Sequence, residues 1–207
     1  MSDAAVIGLG PPGWFGKMPS VGDFASRRLP DAFVRRWDAW LQRGLALGRA
    51  ELGEAWLAGY LVAPIRRFWI APGLLGRGGW GGVLMPSVDR VGRHFPLTIV
   101  QPVRTLAAAL AAVDWYRELD AAARRVLDME FTIDDLEDAL AAIPRADDEA
   151  ADEAASELAR RLLSGLPAGR ASVWWCDDAG AQASFQCFDA LPPAAALAAM
   201  MAGGTLP

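Results

Sequence analysis

Residues 67–101 read RFWIAPGLLGRGGWGGVLMPSVDRVGRHFPLTIVQ, and their punctuation sets the fold class. Arg67–Ala71 is aromatic and β-branched, and it stops at Pro72-Gly73. Trp80–Met85 reads as a second strand and Leu97–Gln101 as a third, with the Gly-rich link Gly73–Gly79 predicting a hairpin connection. Between the second and third strands lies a polar loop that holds Ser87, Asp89, Arg90, Arg93 and His94.

Towards the N-terminus the period changes from strand to helix. Phe33, Val34, Trp37, Trp40, Leu41 and Leu45 recur at helical spacing, and Arg35, Arg36, Asp38, Gln42 and Arg43 take the other face. This predicts a helix over Asp31–Ala50, with Asp31 after Pro30 as its N-cap. A short helix over Glu51–Tyr60 places Trp56 and Tyr60 four apart, and residues 8–30, rich in Gly, Pro and aromatics, read as a strand with ordered loops.

Towards the C-terminus, Thr105 caps a helix expected to run to about Asp128, and Thr132 with Asp135 forms a capping box for Leu136, Leu140 and Ile143. A further helix is expected to start in Asp147-Asp148-Glu149 and to end near Ser164, with Gly165 as C′. Ala171–Cys176 and Ala183–Phe188 form a hairpin around an Asp177-Asp178/Gly180 turn, and Pro193 opens a last helix through Leu197 and Met201. The order implies an α/β fold: a mixed, largely antiparallel sheet flanked by helices in a layered sandwich.

Composition narrows the function. The chain has 207 residues, 53% of them apolar, which fits one domain over 1–207 and argues against disorder. Two cysteines exclude a disulfide scaffold; Cys176 and Cys187 lack metal-ligand spacing, so no metal or other cofactor is expected. The net charge of −5 argues against a nucleic-acid binder, and it divides into +6 over residues 1–104 and −11 over 105–207. That division implies one basic and one acidic face. No leader segment is read at Met1-Ser-Asp-Ala-Ala, and the apolar stretches Leu106–Val113 and Ala194–Gly204 fall short of the roughly 20 residues a membrane helix needs. A cytoplasmic protein without membrane insertion is the expectation. Nine tryptophans accompany a single histidine, a poor supply of titratable groups for an enzyme.

Catalytic and cofactor motifs fail on their chemistry. Gly8-Leu-Gly-Pro-Pro-Gly13 matches a dinucleotide fingerprint, but two prolines remove the amides that would meet a pyrophosphate. Gly16-Lys17 lacks the Ser/Thr of a phosphate-binding loop, since Met18 follows. Ser20, Ser26 and Ser87 have only His94 as a base, and no nucleophile elbow is present. The carboxylate pairs Asp134-Asp135 and Asp147-Asp148 sit at helix starts, where acid is structurally favourable. No catalytic residue is assigned.

Two segments survive this filter. Gly13–Phe24 surrounds the chain's only lysine, Lys17, with Pro19, Ser20, Gly22, Asp23 and Phe24, and Arg27 follows. Trp80–Leu97 carries the polar loop already noted. Three readings stand side by side. The loops form a protein-binding surface, with Lys17, Asp23 and Arg90 as residues whose loss weakens binding without unfolding. They serve the fold alone, with Asp23 and Asp89 paired internally to arginines, Asp89 to Arg90 or Arg93. Or Lys17, Asp89, Arg90 and Arg93 hold a small anion or nucleotide, as a binding module or weak hydrolase.

These segments also carry a family resemblance. Gly13-Trp-Phe-Gly-Lys-Met-Pro-Ser-Val-Gly-Asp-Phe24, Ser26-Arg-Arg-Leu-Pro30, Trp37-Asp-Ala-Trp-Leu-Gln42 and Gly82-Val-Leu-Met-Pro-Ser-Val-Asp-Arg-Val-Gly-Arg-His-Phe-Pro-Leu97 resemble the TagF family of type VI secretion-associated proteins. Ser172-Val-Trp-Trp175 and Leu191-Pro192 resemble its ending, so the likeness spans about 13–204 and leaves 1–12 as an N-terminal extension. The resemblance implies an α/β layered fold and a cytosolic, non-enzymatic accessory protein that restrains assembly or firing of the secretion system after translation. Its implied partners are type VI components, including a forkhead-associated scaffold protein of the threonine-phosphorylation pathway. It supplies no catalytic residues to carry over.

Overall fold

A computed structural model describes residues 10–146, 151–167, 169–176 and 184–203. The three strands of the central stretch form as β3 (Arg66–Ile70), β4 (Trp80–Met85) and β5 (Leu97–Pro102). They occupy the middle of a seven-stranded sheet with order β2-β1-β5-β4-β3-β6-β7. Its other strands are β1 (Gly13–Gly16), β2 (Ala25–Arg27), β6 (Ser172–Trp175) and β7 (Gln186–Phe188). Every described pairing is antiparallel, so the sheet is not mixed.

Alternation along the strands sends side chains to two apolar layers. Phe68, Ile70, Leu84, Val100 and Trp174 face α1 (Asp31–Leu52), α2 (Ala55–Val62) and α7 (Ala194–Met201). Trp69, Val83, Met85, Ile99 and Trp175 face α3 (Leu106–Ala111), α4 (Val113–Arg125), α5 (Ile133–Ala141) and α6 (Glu153–Leu163). With both faces covered, the strands read as continuous apolar runs. All nine tryptophans are buried. Trp37 of α1 stacks on Trp174 with centroids 6.2 Å apart, and its indole N–H donates to Thr98 Oγ1 at 2.7 Å. A buried aromatic of this size removes about 150–250 Å² from water, on the order of 5 kcal/mol. That exceeds the few tenths by which helix propensities differ, so packing fixes α1 in place.

The helix ends follow local chemistry, with some departures. Pro30 is the N-cap of α1, which moves Asp31 to the first helical position. The helix continues to Leu52, so the short second helix starts only at Ala55. Thr105 and Thr132 cap as expected, the latter in a full capping box with Asp135. The expected single helix to Asp128 is broken at Ala112, whose ψ of 50° leaves the helical region. This turn lets α3 and α4 present Ala109 and Trp115 to the same apolar layer. Helix α6 begins at Glu153, capped by Asp152, and Gly165 takes the left-handed C′ position at φ 90°. The Asp147–Glu149 cluster, the Asp177/Asp178/Gly180 turn and Ala183 lie outside the described residues.

Candidate functional site: two braced loops

Antiparallel pairing of β1 with β5 and of β5 with β4 brings the ends of β1 and β4 and the start of β5 to one end of the sheet. The two unusual sequence segments are the loops that leave this end. Their backbones meet at Gly16, where an added Cβ would lie 2.3 Å from the Pro96 carbonyl oxygen and φ is 145°. Only glycine fits that approach.

Asp89 is the hub. Its Oδ2 accepts from Lys17 Nζ at 2.8 Å and from Arg93 Nε at 2.7 Å. Its Oδ1 accepts from the backbone N–H groups of Arg93 at 2.9 Å and Val91 at 3.1 Å. The carboxylate is 2% exposed and Lys17 5%. Burial by itself would raise the Asp89 carboxyl. The bond from Lys17, then those from Arg93 and Val91, outweigh it and hold the group well below the usual carboxylate range.

Around this pair the loops are tied at several further points. Ser87 Oγ donates to the Lys17 carbonyl at 2.7 Å, and Arg90 N–H donates to the Val21 carbonyl at 3.0 Å. Arg93 Nη2 donates to the Gly22 carbonyl at 2.6 Å. Tyr60 of α2 closes the base: its hydroxyl donates to the Ser87 carbonyl at 2.9 Å and accepts from the Ser87 N–H at 3.0 Å. Burial pushes that hydroxyl above the ordinary tyrosine range, so it stays a neutral donor. Phe24 roofs the pair, with Lys17 Nζ 4.9 Å from its ring centroid and its ring against Phe15 and Phe95.

The first loop is also tied to the opposite helical layer. Ser20 Oγ donates to the Phe131 carbonyl at 2.7 Å, and Trp14 Nε1 to Glu137 of α5 at 2.6 Å. Arg28, left-handed at φ 59°, pairs with the same Glu137 and donates to the Pro12 carbonyl.

The residues singled out from sequence therefore divide. Lys17, Pro19, Ser87 and Asp89 are buried and internal. Lys17 consequently does not belong with the residues whose loss spares the fold. Ser20 and Gly22 are half-buried ties. Asp23, Phe24, Arg90 and Arg93 form the exposed rim, with Asp23 and Arg93 4.0 Å apart. Val91, 66% exposed, stands beside them. Arg27 is not part of the cluster: it pairs with Trp14 at the far end of β1 and donates to its neighbour Ser26. His94 faces α2, edge-on to Tyr60 and Trp56. Burial and then the Arg49 charge push its imidazole below its ordinary value, so it is neutral near pH 7.

Asp89 pairs with Arg93, one of the two partners the fold-serving reading offered, and with Lys17, which that reading did not include. Asp23, which it also placed in an internal pair, is exposed, with its carboxylate 4.0 Å from Arg93. Arg90 makes no ion pair among the described residues. Tyr60, Phe131 and Glu137 were not legible as site residues. Tyr60 carried only helical spacing, and the other two meet the loops across separations of 111 and 123 residues.

A pH prediction follows from the hub. The folded-state Asp89 carboxyl lies below its unfolded value of about 3.9, so its contribution is complete above that pH and is lost as pH falls towards the folded value. In denaturant titrations between pH 6 and pH 2.5, the stability advantage over Asp89→Asn should shrink below about pH 4. A constant difference across that range would contradict the hub assignment.

Comparison with known proteins agrees with these motifs. Residues 13–143 match the family model described as TagF N-terminal domain, type VI secretion system-associated. Among solved structures, the crystal structure of PA0076 from Pseudomonas aeruginosa PAO1 is 35% identical over 95% of this chain and 96% of that one, with a TM-score of 0.75. No curated protein matches.

Proposed function

Because the chain belongs to the TagF family of type VI secretion-associated proteins, we propose that it is a non-enzymatic accessory protein that restrains assembly or firing of that system by binding its components. The observation carrying this reading is the division of the loop cluster into a rigid, fully bonded base and an exposed rim. Asp89 takes four donors, so its loops hold one shape. That shape presents Phe24 and Val91 beside Arg90, Arg93 and Asp23. Rigid aromatic and arginine side chains around an apolar centre are the composition of protein-binding hot spots. A repressor needs only to bind one assembly state better than another. A cytoplasmic location fits that role, and no helix of the described residues is long and apolar enough to cross a membrane. The forkhead-associated scaffold is a partner to test first.

The anion-binding alternative asks Lys17, Arg90 and Arg93 to converge on open space. Lys17 Nζ instead ends on Asp89, beneath Phe24, and an incoming phosphate would have to displace a buried carboxylate. The geometry favours the protein-binding reading.

Overproducing the wild-type protein in a host with an active system should lower type VI-dependent secretion. The double variant Arg90→Glu/Val91→Asp, soluble at the same level, should leave secretion unchanged. Equal repression by the variant would remove the rim from the account, and no effect of the wild type would remove the regulatory reading.

A further inference from the structure

We infer that the outer face of α2 is a dimer interface, packing against the same face of a second copy of this chain across a two-fold axis. All five exposed residues of this helix are apolar: Ala55, Leu57, Ala58, Leu61 and Val62. The last four stand on one stripe at helical spacing, with Leu61 63% and Val62 76% exposed. Four of the nine large apolar side chains exposed among the described residues fall within 52–62. Such residues are ordinary when scattered singly, whereas a contiguous group on a surface marks a contact. The end of α7 prolongs the face. A Cβ on Gly59 would lie 2.5 Å from the Ala202 carbonyl oxygen, and one on Gly203 would lie 3.7 Å from Val62 Cγ2. No charged residue occurs in 55–65 or in 190–203.

The charge pattern chooses the occupant. A two-fold interface sets each surface against itself, so a charged patch meets its own sign and a neutral one does not. A charged partner would find no counter-charge on this face. A lipid surface calls for basic residues beside the apolar stripe. The charges that precede α2 are instead the exposed Glu51 and Glu54. Arg49 is engaged by the Trp56 ring, 4.4 Å from its centroid, and by the His94 carbonyl at 3.1 Å. Antiparallel crossing of two α2 helices would hold the two Glu54 side chains about a helix length apart, roughly 12 Å, beyond the physiological screening length of about 8 Å. Two helical turns supply only the apolar centre of an interface that ordinarily covers about 800 Å² per partner. The dimer is therefore expected to be weak and concentration-dependent.

Sedimentation velocity of the full chain from about 10 µM to about 1 mM should show a shift from monomer towards dimer. In the antiparallel packing Leu61 lies within one turn of its own mate across the axis. Leu61→Glu and Leu61→Lys should each weaken association about tenfold or more at unchanged melting temperature, and an equimolar mixture of the two should recover it. Val62→Glu, at a more exposed position, should weaken it likewise. Arg90→Glu/Val91→Asp should associate as the wild type does. A wild type that stays monomeric throughout would overturn the proposal, leaving the face to a different protein. So would a dimer that survives the charged substitutions on α2, a mixture that stays monomeric, or a dimer that the rim variant splits. None of these measurements reads secretion or the binding of another component, so their failure leaves the regulatory reading standing.

Discussion

Replacing Asp89 with asparagine is expected to cost about 3–5 kcal/mol of stability, a fall in Tm of roughly 10 °C for a chain of this size. The substitution leaves Lys17 buried and charged with no carboxylate, its Nζ 4.9 Å from the Phe24 ring centroid. It also weakens the acceptor that holds the Val91 and Arg93 backbone amides. Lys17→Met should cost less. Without the lysine, Asp89 still keeps Arg93 Nε and both amides, so its charge remains compensated. Chemical denaturation of the two variants measures the difference. Equal costs would mean that the ion pair, rather than the carboxylate's whole set of donors, holds the loops.

A second large loss is expected from Gly82→Ala. Gly82 sits in β4 opposite Phe68 on one side and Val100 on the other. An added Cβ would lie 2.2 Å from the Ile99 carbonyl oxygen and 2.8 Å from Val100 Cα. Both are backbone atoms of the neighbouring strand and cannot rotate away. Relief requires the central strands to separate, which breaks ladder hydrogen bonds. The expected cost is about 4 kcal/mol or more, in the exceptional range for a single methyl group. Gly78→Ala is the control, since its Cβ would meet nothing within 4 Å. Melting curves should show a large fall for the first substitution and almost none for the second.

The same glycine shows what sequence patterning conveys and what it omits. Trp80–Met85 reads as a strand because an apolar run is bounded by turn residues, and it forms at those limits. Two glycines in its interior read only as weak strand residues, whereas in the structure they mark where β4 is crowded by its neighbours. Helix α1 was legible from its spacing. The break at Ala112 was not, because neither proline nor glycine marks it. Strand β1 has four residues, two of them glycine, so no period could place it beside β5.

The candidate site was legible to a similar depth. Both loops stood out by composition, and the resemblance they carry agrees with the family match. Their chemistry was only half visible. Arg93 was one of two partners expected for Asp89 from proximity in the chain. Lys17, 72 residues away, could be assigned only once β1 lay beside β5. That pairing turns a residue read as a recognition cation into an internal brace, and it leaves recognition to the rim.

The central claim is that the braced loops present a recognition surface, and binding of the purified protein to purified type VI components tests it directly. Wild type and Arg90→Glu/Val91→Asp should be compared by calorimetry against each component in turn, the forkhead-associated scaffold first. The account predicts that one component binds the wild type and loses about 30-fold or more in affinity, about 2 kcal/mol, with the rim variant at unchanged melting temperature. Wild-type affinity in the rim variant for every component that binds would contradict it.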